Sequence, residues 1–176
     1  AGDNVLVTIP GNHNKVMGCD ADWAPECEKA ALTRDATGVY TATFTLPAGD
    51  YEYKVAEGGS WDTSYGQGGA PGGANIAYSL KQETAVTFYY NQSTHRVWNT
   101  VTDQMVTLPG SEQQALGCSD NWKPDCLAPL MEPTGNGTYT YETTALPEGT
   151  YELKVAIGGS WDENYGQDGA AGGANY

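Results

Sequence analysis

Residues 7–11 read VTIPG and residues 106–110 read VTLPG, an offset of 99. The same offset carries GCDADWAPEC (18–27) onto GCSDNWKPDC (117–126). Further along, YEYKVAEGGSWDTSYGQGGAPGGAN (51–75) returns as YELKVAIGGSWDENYGQDGAAGGAN (151–175), now 100 residues on. A chain that repeats itself at this spacing folds as two homologous units, each the size of a small independent domain. The short stretch VTDQM (101–105) joins them, which places one copy at 1–102 and the other at 103–176. The extra residue falls where YTATFTLP (40–47) is answered by YTYETTALP (139–147), and predicts a longer edge or a bulge in the second copy.

Within each copy, short segments rich in β-branched and aromatic side chains alternate with Gly, Pro, Asn and Asp. In copy one they fall at 5–9, near Leu32, and at 40–46, 51–57, 76–80, 84–90 and 96–100. Helix signals are nearly absent, so the expected fold is all-β, a sandwich in each copy. Tyr51, Tyr53 and Val55 alternate with Glu52, Lys54 and Ala56, the pattern of one buried and one wet face. Lys54 and its counterpart Lys154 are thereby expected to project away from the tyrosine row. After Tyr176 nothing answers residues 76–100, so the second sandwich as given lacks about three C-terminal strands. The expectation is a piece of a longer chain, with strand donation from a neighbouring molecule as the second reading.

The chain carries 22 acidic against 8 basic residues, a formal charge of -14, with the basic residues scattered singly. That distribution excludes a phosphate-tracking surface, so no nucleic-acid partner is expected. Neither is membrane insertion, since no run of 18 apolar residues occurs. The first residues, AGDNVLVTIPG, also lack the charged and apolar regions of a signal peptide. The aromatics are 12 Tyr and 5 Trp against 2 Phe, the amphipathic kind that suits a binding surface.

Catalytic patterns are weak. A glycosidase needs two carboxylates flanking a cleft. Asp62 and Asp162 offer one acid each, and only Glu52 and Glu152 recur as a candidate second. GGSWD departs from the nucleophile elbow at its last glycine. His13 and His95, the two candidate bases, have no counterpart in copy two. GQGGAPGGAN lacks the GK[ST] ending of a phosphate loop, and the acidic residues around Asp20 and Asp22 lack EF-hand spacing. No enzyme activity, cofactor or metal is expected.

The four cysteines form two Cys-x7-Cys pairs, Cys19 with Cys27 and Cys118 with Cys126, with no third Cys or His nearby. One local disulfide per copy is expected, and with it an extracytoplasmic setting, secreted or on a cell surface. Trp23 and Trp122 sit inside the bridged loops, each two residues before a proline. Such an aromatic either presents a rigid face to a ligand or caps the core. Trp61 and Tyr65, with Trp161 and Tyr165, lie among glycines beside Asp62, Asp162, Asn75 and Asn175. A flat aromatic flanked by polar groups suits a sugar ring, which has a C–H face and a hydroxyl rim. The alternative is a glycine-rich corner whose tryptophan folds back onto the core.

Together VTLPGSEQQALGCSDNWKPDC, LPEGTYELKVAIGGSWDENYGQ and VTFYYNQSTHRVW resemble the starch-binding modules that flank the catalytic domains of bacterial pullulanases and amylopullulanases. Those modules are similar in turn to domains of outer-membrane starch-binding lipoproteins. The resemblance implies two tandem immunoglobulin-like β-sandwich domains that hold starch, amylopectin, pullulan or maltooligosaccharides without cleaving them. A catalytic domain elsewhere in a longer parent chain is implied as well. It places Trp23, Lys54 and Trp61 of copy one, and Trp122, Lys154 and Trp161 of copy two, in the sugar site. Copy one has Ala24 where copy two has Lys123, which implies a weaker first site. A different class of function is an extracellular structural repeat that self-assembles by strand addition at open sheet edges.

Overall fold

The structure is a computed structural model that describes residues 5–176; the start of the first copy at residue 1 lies outside them. The chain divides into two compact units, the first ending at Asp103 and the second beginning at Gln104. Both are built from strands, as the turn-punctuated pattern predicts.

In unit one the strands are β1 (Val7–Thr8), β2 (Ala31–Arg34), β3 (Val39–Leu46), β4 (Gly49–Tyr53), β5 (Val55–Glu57), β6 (Ser64–Tyr65), β7 (Ile76–Leu80), β8 (Thr84–Asn91) and β9 (Arg96–Asn99). A single helical turn, α1 (Asn14–Met17), follows β1 and ends at Gly18, whose φ of 106° belongs to the left-handed region. Seven strands form one sheet in the order β6-β5-β1-β2-β3-β8-β9, and β4 pairs with β7 as a second layer. Antiparallel β3 and β8 pair over eight residues, from Val39 opposite Asn91 to Leu46 opposite Thr84. Every second residue of β8, Val86, Phe88 and Tyr90, is fully buried. Tyr53 of β4 meets Phe88 edge to face at 5.1 Å, and this contact joins the two layers.

One expectation is corrected. The segment 51–57 is not one strand with a wet face, because the chain changes layers at Lys54, leaving β4 in one sheet and β5 in the other. The Lys54 N–H donates to the Pro10 carbonyl at 3.0 Å across this crossing. Ala56, expected on the wet face, is fully buried because its strand lies between β1 and β6. At the preceding corner the Tyr51 hydroxyl donates to the Pro47 carbonyl at 2.8 Å, and Tyr151 repeats this with Pro147 at 2.7 Å. This local bond is a tyrosine corner of the kind found in immunoglobulin-like sandwiches.

His13 is fully buried and is no solvent-facing base. Its Nε2–H donates to the Ile9 carbonyl at 2.8 Å, which leaves Nδ1 to accept the Tyr78 hydroxyl at 2.7 Å. Burial pushes its pKa down to about 4.

Unit two contains β10 (Val106–Thr107), β11 (Glu132–Pro133), β12 (Tyr139–Thr140), β13 (Val155–Ile157) and β14 (Glu163–Tyr165). Its three-stranded sheet, ordered β10-β13-β14, repeats the β1-β5-β6 end of the first unit. Within 139–147, where a longer edge or a bulge is expected, Tyr139 and Thr140 pair with Pro133 and Glu132. Among the described residues the counterpart of β3 forms a ladder at these two alone.

Both disulfides are formed, Cys19–Cys27 with Cα atoms 6.1 Å apart and Cys118–Cys126 with 6.0 Å. Denatured protein should therefore take up no alkylating label before reduction and four labels after it. Intact-mass measurement checks this, and four labels without reduction would contradict the pairing.

Candidate functional site: two tryptophan and lysine platforms

Each site begins at the glycine of the repeated VTIPG or VTLPG. A Cβ on Gly11 would lie 2.3 Å from the Glu52 carbonyl oxygen, and one on Gly110 would lie 2.3 Å from that of Glu152. Only glycine admits this crossing, which sets the start of the disulfide loop against the strand that delivers Lys54 or Lys154. The loop then curls back. Thr8 Oγ1 donates to the Pro25 carbonyl at 2.7 Å, and Thr107 to that of Pro124 at 2.6 Å. Asp22 accepts from the Lys15 N–H at 2.9 Å, and Asn121 from the Gln114 N–H at 2.8 Å. The tryptophan within the loop is left-handed in both copies, φ 57° at Trp23 and 58° at Trp122. That conformation costs a side-chain-bearing residue about 1–2 kcal/mol and persists because its surroundings impose it.

The second tryptophan comes from the GGSWD turn after β5 or β13. Trp61 is 43% and Trp161 40% exposed, large for an indole in a folded domain. The reading in which these side chains fold back onto the core is therefore not what the structure shows. Lys54 Nζ lies 5.9 Å from the Trp61 ring centroid, and Lys154 Nζ lies 5.9 Å from that of Trp161. The ammonium and the ring hold each other by a cation–π contact, and the remaining N–H groups stay free to donate. In unit one the Trp23 ring stands 6.4 Å from that of Trp61, tilted by 36°. The result is a pair of indoles with a cation at its edge, on a strongly acidic chain.

Asp62 and Asp162 stand exposed beside these rings; their backbone N–H groups donate to Ser60 and Ser160 hydroxyls at 3.2 Å. Tyr65 is placed differently. Its ring stacks on His95 at 3.9 Å with an angle of 2° between planes, so the imidazole covers one face. The His95 Nδ1 lies 3.1 Å from the Tyr90 hydroxyl, which donates to the Glu57 carboxylate. Tyr165 instead donates to the Glu163 carboxylate at 2.6 Å. Asn75 and Asn175 accept through their backbone carbonyls from Gln67 and Gln167 at 2.9 and 2.7 Å, and so close the glycine-rich turn. Among the described residues no cluster of three or more His, Cys, Asp or Glu is arranged to hold a metal.

The sequence reading missed the polar residues that hold the bridged loops. Thr8 and Thr107, Asp22 and Asn121, and Asn14 and Gln113 stand at the offset of 99, each a hydrogen-bonding side chain in both copies. That recurrence of hydrogen-bonding side chains was the available signal.

The profile of the pullulanase X25 domain matches residues 6–97 and again residues 105–176. An amylopullulanase of Thermoanaerobacter thermohydrosulfuricus is 37% identical over 97% of the chain. Another, from Thermoanaerobacterium thermosulfurigenes, is 33% identical over 99%. The chain spans only 12% and 10% of those relatives. Among solved structures, a pullulanase from Bacillus acidopullulyticus superposes with a TM-score of 0.53 at 25% identity, over 90% of this chain and 17% of that one. The profile matches both halves and aligns with the internal repeat, so the chain belongs to the pullulanase X25 domain family and carries two such domains.

Proposed function

We propose that the two domains bind starch or a related α-glucan without cleaving it, and hold a catalytic domain of a longer parent chain on its polymer. The observation that carries this reading is the repeated pair: an exposed indole with a lysine ammonium 5.9 Å from its ring, in each of the two units. The indole stacks on the C–H face of a glucose ring, and the ammonium donates to vicinal hydroxyls at the rim. Trp23, 6.4 Å from Trp61, extends the first platform, and Trp122 is its counterpart in the repeat. Asp62 and Asp162 stand where they accept from further hydroxyls, and Tyr65, Asn75, Tyr165 and Asn175 shape the turn beneath. The names of the amylopullulanase relatives support the polymer class. The two disulfides support an extracytoplasmic setting.

Electrophoresis in gels containing amylopectin, pullulan, dextran or xylan tests the proposal. Retardation is expected by the first two polymers only; equal mobility in every gel would overturn it. Lys154→Ala should weaken binding at its own site by about 1–3 kcal/mol, the worth of a hydrogen bond to a charged group. Calorimetric titration with maltoheptaose in a Trp61→Ala background reads that site alone, and an unchanged affinity would remove Lys154 from it.

A further inference from the structure

Two buried side chains do the same thing in both copies. Asn14 and Gln113 stand 99 residues apart, are both fully buried, and differ by one methylene. Asn14 Oδ1 accepts from the Gly11 N–H at 3.2 Å and the Ala24 N–H at 3.0 Å. Gln113 Oε1 accepts from the Gly110 N–H at 3.3 Å and the Lys123 N–H at 2.7 Å. The Trp23 N–H donates to the Gly11 carbonyl at 2.9 Å and the Trp122 N–H to that of Gly110 at 3.2 Å. Two successive N–H groups of the left-handed turn are thus gripped from one place, by a glycine carbonyl and a buried amide oxygen.

The donor halves of the two amides go to different partners. Asn14 Nδ2 donates to the Ile9 carbonyl at 3.1 Å, whereas Gln113 Nε2 donates to the Lys123 carbonyl at 2.8 Å. The copies have diverged in what the amide donates to and agree in what it accepts from. The shared feature is the acceptor that fixes the backbone at the tryptophan.

We infer that Asn14 and Gln113 are positioning residues of the two platforms: each locks its loop so that Trp23 or Trp122 is held left-handed before a ligand arrives. This rests on the reading of those tryptophans as sugar contacts. An ordered loop saves the entropy that a mobile one would lose on binding, so the clamp acts on affinity through preorganisation. The disulfide alone does not do this, because it closes the loop at its two ends and leaves the dihedrals between them free.

The test uses the whole chain with Trp61→Ala, so that sugar binding reports on unit two. Gln113→Met keeps length and bulk but loses the acceptor, and Gln113→Asn keeps the amide in the form that copy one carries as Asn14. Two quantities are measured: amide hydrogen exchange at Trp122 and Lys123 without sugar, and affinity for maltoheptaose. In Gln113→Met the two amides should exchange about tenfold faster or more while Ala156 of β13 keeps its protection. Affinity should fall about five- to tenfold, and Gln113→Asn should keep both near the unsubstituted values. Unchanged exchange and affinity in Gln113→Met would overturn the inference. If that variant unfolds, Gln113→Asn decides: a folded Asn variant with a loosened loop or lost affinity overturns it, and one that keeps both supports it. Absence of glucan affinity in the unsubstituted chain would instead sink the sugar reading, and exchange would still report whether the amide holds the loop.

Discussion

Acidification from pH 7 to 4 should weaken unit one by about 3 kcal/mol through His13 alone. The imidazole is fully buried, and its pKa falls from 6.5 to about 4 because charging it would remove an ion from water. Below pH 6.5 the unfolded chain takes up a proton that the folded chain refuses until about pH 4. The contribution is therefore complete above the unfolded value and lost as the pH falls between the two. Unit two has Glu112 at the equivalent position, offset by 99. Burial raises the pKa of that carboxyl, so the folded unit binds its proton first and the contribution has the opposite sign. It is complete below the ordinary carboxyl range and lost as pH rises through the folded value. Protection of the Phe88 amide should thus decrease on acidification relative to that of Ala156. Hydrogen exchange corrected for intrinsic rates measures both in one sample. A parallel response in the two units, or one unchanged by His13→Gln in unit one, would contradict this account.

The combined Trp61→Ala and Trp161→Ala variant should lose retention on insoluble starch. Truncating an exposed anchor tryptophan costs about 2 kcal/mol, roughly 30-fold at its own site. Either single variant should still be retained, because the other site remains. The double variant loses both platforms together with an avidity gain of about 10² or more, available where two linked sites engage one polymer. Neither ring lies in the core, so the unfolding transition should move little. Sedimentation with granular starch measures retention, and a double variant that still sediments would show that these indoles are not the contact surface.

The class of fold was legible because its signals are local. Turn residues punctuated the strands, the repeat gave two units, and paired cysteines gave the bridges. The recurrence of Trp61 and Trp161 in a glycine-rich turn points to surface residues, and both are exposed. The sheet crossing at Lys54 was not legible, since Tyr51, Tyr53 and Val55 keep their alternation straight through it. Whether a residue stays in one layer depends on its hydrogen-bond partners: Tyr53 pairs with Ile76, and Val55 with Tyr65. The cover on Tyr65 was hidden for the same reason, since His95 reaches it from a distant hairpin. Left-handed backbone at Trp23 and Trp122 runs against residue preference, so propensity points the wrong way where tertiary hydrogen bonds decide.

Under the proposed function, two neutral-sugar sites sit on a chain of charge -14. Calorimetric titration with maltoheptaose at low and high salt tests it most directly. The account predicts two sites per chain with affinities nearly independent of ionic strength, because stacking and hydrogen bonds to an uncharged ligand are not screened. Absence of binding, or an affinity that falls steeply with added salt, would contradict it and point to a charged ligand on this surface.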